Sequence, residues 1–348
     1  MAGASCPAQI CAEVRAAVIG LGSVGARAAR QLVSSADIDS VFIFDNDPTR
    51  LAEVGTALGE RAIPLAGPEA DGQGVSVAVL ATPVGDHADL ARTHLDRGHH
   101  VVSVSDGVED VTALLALDCE ARRRGLRVVV GAGFAPGLSC LLARHGAATF
   151  DSVSELHVAK YGTGGPACAR QHHEALGGHA TDWRGGAWVE RRGGSGRELC
   201  WFPEPVGGQD CYRAALSDGL LLVPAFSGIQ RVTARQAATR RDRLTARLPM
   251  LRPPHPEGVL GAVRVEIRGR RGAATDVLVL GAMDRPGVAA GAVAAVAAVH
   301  VVIAPEQRLG AFGLAEAADP LAVLAELARR GVKAAVFEGS PVASRAVP

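Results

Sequence analysis

Lysine is almost missing from this chain: of 36 basic side chains only Lys160 and Lys333 are lysines, and the rest are arginines. So complete a bias reads as coding composition, and it lowers the weight of arginine clusters as signs of anion binding. An excess of either charge is missing too. Acidic and basic side chains number 36 each, which argues against nucleic acid or an anionic membrane surface as partner. Aromatics are only 4% of residues, so Ala, Gly, Val and Leu must supply the packed interior. The seven cysteines are scattered, with no C-x-x-C and no metal-ligand spacing, as suits reduced thiols. Residues 1–13 lack a basic segment followed by an apolar one, so they do not read as a signal peptide. The longest uncharged apolar run, 287–304, is alanine-rich rather than leucine-rich and is expected to lie buried between layers. A soluble, cytoplasmic protein is the expectation.

With 348 residues and 48% hydrophobic side chains, two domains are expected. From 14 to about 150, apolar strands alternate with amphipathic helices, the mark of a doubly wound parallel sheet. Strands are expected at 14–20, 41–45, 75–83, 99–105 and 126–133, with helices between them, one of them over 111–125. Beyond 150 the rhythm changes. Residues 162–197 are glycine-rich and read as mostly loop. "AVRVEIRG" and "TDVLVLGA" read as an antiparallel hairpin with one buried face. The expected division is an extension (1–13), a dinucleotide-binding domain (14–150), an α+β substrate domain with a mixed or antiparallel sheet (151–285), and a C-terminal segment returning to both (286–348).

The chemistry starts in "AAVIGLGSVGARAARQLV" (16–33), where Gly20, Gly22 and Gly25 form G-x-G-x-x-G between a strand and a helix. A glycine fingerprint alone is weak; here Asp45 also closes the next strand, twenty residues past Gly25. Gly20 permits the tight turn, Gly22 admits a pyrophosphate to the backbone, and Gly25 lets helix and strand pack closely. Ser23 and Val24 present the helix N-terminus to phosphate. This is the fingerprint of a Rossmann domain. Asp45, with Asn46 beside it, suits the free ribose hydroxyls of NAD and repels the 2′-phosphate of NADP. "DNDP" is also ordinary turn chemistry, and Arg50 nearby keeps NADP open.

The fingerprint, "ATPVGDHADLARTHLDRGHHVVSVSD" and above all "GAGFAPGLSCLLA" resemble the saccharopine dehydrogenase-like family over most of the chain. That family includes saccharopine reductases, lysine epsilon-dehydrogenases and carboxynorspermidine dehydrogenases. "PEQRLG" (305–310) also fits its C-terminal pattern. The resemblance implies reversible hydride transfer between nicotinamide and the carbon of a C–N bond, on an amine or amino-acid substrate. It also implies a homodimer through the second-domain sheet. Relatives often read H-Y-V-D where this chain has His100-Val101-Val102-Ser103, so no acid–base role carries over to Ser103. Thr82 and Pro83 are expected along the cofactor, Ser105 and Asp106 near the nicotinamide, and Gly133 and Phe134 beside its ring. Candidates for handling the proton are Asp106, Tyr161, His172, His173 and His255. The loop with Pro136 and Gly137 and the arginine-rich stretch 231–258 are expected to close over the substrate. Arg231 or a neighbour would hold a carboxylate, with His255 in the same wall, although most of these arginines read as a solvated helical face. Two rival readings stay open. One is a carbonyl-reducing dehydrogenase of the glucose–fructose oxidoreductase type, which usually places a lysine after the Rossmann strands, where "VSVSDGVED" has none. The other is a dinucleotide sensor with a dead site.

Overall fold

Runs of small and β-branched residues that are buried on both faces build the first sheet, as a sheet covered by helices on either side requires. Its strands are β1 (Arg15–Ile19), β2 (Ser40–Phe44), β3 (Ala62–Pro64), β4 (Val75–Leu80), β5 (His100–Ser103) and β6 (Arg127–Val130). Between them run α1 (Gly25–Val33), α2 (Pro48–Leu58), α3 (His87–Asp96), α4 (Val108–Leu115) and α5 (Asp118–Arg123), and α6 (Leu138–Ala147) leaves the domain. The computed structural model describes residues 13–69, 74–250, 253–255, 258–304, 308–317 and 319–337. The N-terminal extension, apart from Glu13, lies outside the described residues. Local rules act where the sequence suggests them: Pro48 opens α2, and the Asp47 carboxylate caps it by accepting from the Thr49 amide at 2.9 Å. The single helix expected over 111–125 is two, broken at Ala116–Leu117, where the chain turns to bury Leu117.

The second unit begins with the long strand β7 (Ser152–Tyr161), followed by α7 (Pro166–Ala175). The region read as loop is largely ordered: β8 (His179–Arg184) and β9 (Ala187–Arg192) form a hairpin. Gly185 and Gly186, both at positive φ, make its two-residue turn, and Trp183 meets Trp188 edge-on across it. Then come β10 (Glu198–Trp201), β11 (Gly208–Tyr212), α8 (Asp218–Leu222), β12 (Arg231–Ala237), α9 (Arg240–Thr245), β13 (Gly261–Arg271) and β14 (Ala274–Asp284). The arginine-rich stretch is therefore only partly helical. Its first seven residues are a strand, because Val232, Ala234 and their neighbours are needed in the sheet. The hairpin β13–β14 pairs in register from Gly261↔Asp284 to Arg271↔Ala274.

After the hairpin the chain forms α10 (Pro286–Ile303), β15 (Gly310–Gly313), α11 (Pro320–Arg329) and β16 (Lys333–Phe337). β15 extends the first sheet, whose order is β15-β6-β5-β4-β1-β2-β3, all parallel. β16 extends the second, mixed sheet, ordered β10-β11-β12-β7-β13-β14-β16 with β8 and β9 to one side. Helix α10 is long and apolar enough to cross a membrane, but 78% of it is buried inside the protein. Its small residues let α1 approach closely: a Cβ on Gly291 would lie 2.7 Å from that of Arg27. The C-terminal ends of β1, β2 and β4 align at Ile19, Phe44 and Leu80. Strand order reverses between β1 and β4, and a ligand crevice opens at such a switch point.

Candidate functional site

A cavity of about 1070 Å³ opens at that switch point, just above the roughly 300–1,000 Å³ typical of ligand pockets. Its walls include Gly20, Gly22, Ser23, Val24, Asp45, Asn46, Thr82, Pro83, Ser105, Asp106, Gly133, Phe134 and Pro136. The three fingerprint glycines do separate jobs. Gly20 has φ +92°, and a Cβ there would lie 2.7 Å from the Ala81 carbonyl oxygen. A Cβ on Gly25 would collide with the Gly20 carbonyl; Gly25 does not line the cavity. A Cβ on Gly22 would meet nothing within 4 Å, and Gly22 does line it. Two glycines are thus required by the fold, and the third leaves open space at a helix N-terminus, as a phosphate-bearing ligand needs.

Asp45 does turn chemistry and faces the cavity as well. Its carboxylate accepts from the Leu21 amide at 2.6 Å and from the Asp47 amide at 2.9 Å. Arg50 is directed elsewhere, donating to the Leu21 carbonyl at 2.9 Å and pairing with Glu53 at 3.7 Å. Asp47, Glu69, Asp86 and Asp89 also line the cavity, so part of its wall is acidic. Thr82 is held by His87, whose Nε2 lies 3.1 Å from its hydroxyl; His87 Nδ1 meets Ser103 at 2.9 Å. Ser103 is buried in this network and does not reach the cavity.

At the other end, side chains from three elements converge. Asp106 follows β5, and its carbonyl accepts from the Ser217 hydroxyl at 2.9 Å. Lys160, on β7, donates to Asp106 Oδ2 at 3.1 Å and to the Ala135 carbonyl at 3.3 Å. Its Nζ also lies 2.8 Å from His172 Nε2, on α7, which is in turn 3.2 Å from Asp106 Oδ2. Lys160 is only 3% exposed, so these contacts replace its water. Burial alone would raise Asp106, but Lys160 and His172 hold its carboxyl well below the usual carboxylate range. Burial likewise opposes a charge on His172, but Cys168 and Asp106 raise it to about 9 against Lys160. The short Nζ–Nε2 contact takes one proton between its two nitrogens. With that proton on Lys160, all three ammonium hydrogens have acceptors; with it on His172, the imidazolium faces Asp106. The arrangement can therefore hold and pass a proton beside an anionic carboxylate.

Lys160 is not among the site residues expected from the sequence; Tyr161, one position on, is. Side chains alternate along a strand, so Tyr161 points the other way and packs on Phe202, with ring centroids 6.2 Å apart. The signal for Lys160 lies in plain view, as one of two lysines in a chain that otherwise uses arginine. His173 faces away from the cavity and meets the Thr245 and Leu248 carbonyls at 2.9 and 3.1 Å. His255 is outside the cavity wall; its carbonyl accepts from the Gly258 amide at 3.1 Å. Gly137 is also outside it. With φ +123° and a missing Cβ that would fall on Gly133, Gly137 is needed to close the loop on itself rather than to admit a ligand. Arg231 pairs with Glu155 at 3.7 Å, and its rung of the sheet is five residues from the one that holds Lys160. None of the described arginines of the 231–258 stretch lines the cavity; Arg252 and the first half of "PEQRLG" (305–307) lie outside the described residues. Among the described residues, the arginine that lines it is Arg170 on α7, whose guanidinium has no hydrogen-bond or ion-pair partner among them.

Comparison with known proteins agrees with this geometry. An oxidoreductase family with an NAD-binding Rossmann fold (GFO_IDH_MocA) matches residues 14–132. That segment is an NAD-binding Rossmann domain of the oxidoreductase type. The fold of the whole chain is similar to that of saccharopine dehydrogenase (L-Glu forming) from Saccharomyces cerevisiae. The two share 14% identity and a TM-score of 0.65, covering 93% of this chain and 99% of that one. It is also similar to DAP dehydrogenase of C. glutamicum, solved in complex with DAP, at 14% identity and TM-score 0.50, covering 92% and 99%.

Proposed function

We propose that this protein transfers hydride between a nicotinamide cofactor and a C–N bond of an amine or amino-acid substrate. The observation that carries it is the Lys160–Asp106–His172 cluster, which faces the same cavity as the glycine turn. A nicotinamide bound there would supply or accept the hydride. Gly22 and the N-terminus of α1 would hold the cofactor's phosphates and Asp45 its ribose, with Thr82, Pro83, Ser105, Gly133 and Phe134 lining the same cavity. Asp106 stabilises positive charge on the substrate nitrogen, since its carboxylate stays ionised. The Lys160–His172 pair takes or returns the nitrogen's proton. Arg170 replaces Arg231 as the anchor for a substrate carboxylate, because it is the guanidinium the cavity presents. The likeness to saccharopine and DAP dehydrogenases supports C–N chemistry, and Asp45 with Arg50 turned away supports NAD over NADP.

Residues 14–150 would serve as the cofactor domain, 151–285 as the substrate domain, and 286–348 as their shared support. The five described cysteines are all free, which suits the cytoplasm. A homodimer through the second sheet is expected and is read by light scattering. A carbonyl-reducing reaction is the second reading. It is favoured by the family match over 14–132 and by Lys160, which brings a lysine to the cavity from β7 rather than from the Rossmann strands. NADH oxidation assayed with 2-oxoacids plus amines, and separately with sugars, divides the readings. Turnover that needs both oxoacid and amine is expected. Turnover with sugars alone would establish the second reading, and tight NADH binding without turnover would establish a sensor.

A further inference from the structure

One nucleophile in the cavity wall has no part in that reaction. Cys168 is the third residue of α7, whose first residue is Pro166, and His172 lies one turn further on the same face. Its Sγ is 3.7 Å from His172 Nε2, the nitrogen that also meets Lys160 and Asp106. The thiol is only partly buried and lines the cavity. The other described thiols differ: Cys140, Cys200 and Cys211 are buried, and Cys119 is exposed between Asp118 and Glu120.

We propose that Cys168 is a covalent modification site for small soft electrophiles, of the α,β-unsaturated carbonyl or haloacetamide class, and that its adduct protrudes into the cavity and obstructs it. Three features favour its thiolate: an imidazole within reach, a buried ammonium behind that imidazole, and a position in the first turn of a helix. Burial and the Asp106 carboxylate work against the thiolate, but His172, with Lys160 behind it, outweighs them and holds the thiol below its ordinary range. Cys140 is the contrast, where burial pushes the thiol up to about 12. With a haloacetamide, Sγ attacks the CH₂ carbon, a C–S bond forms, and iodide leaves with the C–I electron pair. The thiol proton goes to His172 and on to solvent. With an enone, Sγ adds at the β-carbon, the π pair moves toward the carbonyl, and the α-carbon takes the proton.

The proposal rests on side-chain geometry and not on the hydride-transfer reading. Its test is labelling of the full chain with iodoacetamide at pH 7, followed by peptide mapping. Cys168 is expected to react about 10-fold faster than Cys119, with a flatter pH dependence. His172→Gln should bring Cys168 to within about 2-fold of Cys119, whose own unchanged rate certifies the fold. The labelled protein should lose at least about 10-fold in NADH affinity by fluorescence titration. Cys168 reacting no faster than Cys119, or as fast without His172, would overturn the reactive-thiol proposal; unchanged NADH affinity after labelling would overturn obstruction of the cavity.

Discussion

At the cofactor end of the cavity, Gly20, Gly22, Ser23 and Val24 come from one contiguous turn and offer backbone. At the other end, Asp106 and His172 are 66 residues apart in sequence and meet each other and Lys160, offering buried charge. The first end works by leaving side chains out, the second by packing them together. A site of the first kind tolerates change wherever a Cβ meets only ligand space. A site of the second kind fails when one member goes, because the buried charges it balanced lose part of their compensation.

Lys160→Met should have the largest effect on catalysis. It leaves Asp106 with His172 as its remaining cationic partner and breaks the proposed proton-carrying pair, so kcat should fall by about 10³-fold while NADH affinity stays within about 2-fold. A parallel loss of NADH binding would show that the two ends are not separable. Next, Gly22→Val should weaken NADH binding by at least about 100-fold with little change in Tm, since its side chain enters open space. Gly25→Val, three residues on, should cost several kcal/mol of stability, because its side chain would strike Gly20. Thermal melts of the pair decide this.

Acid and alkali should act on different halves. Burial, helped by neighbouring charges, lowers both His94 and His100 from 6.5 to about 4. The unfolded chain therefore takes up these protons first, and stability present above 6.5 is lost as pH falls toward 4, on the order of 2 kcal/mol for His94 and less for the more exposed His100. His172 runs the other way: raised to about 9, it contributes below 6.5 and is lost as pH rises through 9. Asp106, held low, adds stability at neutral pH that is lost only in strong acid. Urea titrations of wild type and His94→Leu between pH 4 and 7 should show a smaller acid loss in the variant. Equal slopes would remove His94 from the account.

Smaller effects sharpen the same contrast. Asp45→Ser should narrow the preference for NADH over NADPH by about 10-fold, because a 2′-phosphate no longer meets a carboxylate. Arg170→Ala should raise KM for a carboxylate substrate by about 10-fold and leave kcat nearly unchanged. Arg231→Ala, which breaks a partly exposed pair with Glu155, should change stability by less than about 1 kcal/mol and leave kinetics alone. If Arg231 moved KM and Arg170 did not, the assignment of the substrate end would be reversed.

Much of the cofactor end is legible in the amino-acid sequence, because the glycine turn, the strand leading into it and Asp45 answer to local backbone requirements. The hairpin β8–β9 is not, since its strands are short and polar and only the Gly185–Gly186 turn announces it. Gly137 stands out as a glycine that the loop requires, but its close neighbour is Gly133 and not a ligand.

The amino-acid sequence alone determined the Rossmann half, the dinucleotide turn, and the burial of the alanine-rich helix α10. These follow from periodicity and from where a chain can turn without a Cβ. Tertiary structure decided which charged groups share the cavity. It put Lys160 inward and Tyr161 outward by strand alternation, turned His172 in and His173 away around a helix, and left Arg231 several rungs from the cluster while bringing Arg170 to the wall. Burial and partnership are properties of the packed chain, and a charge's role depends on both.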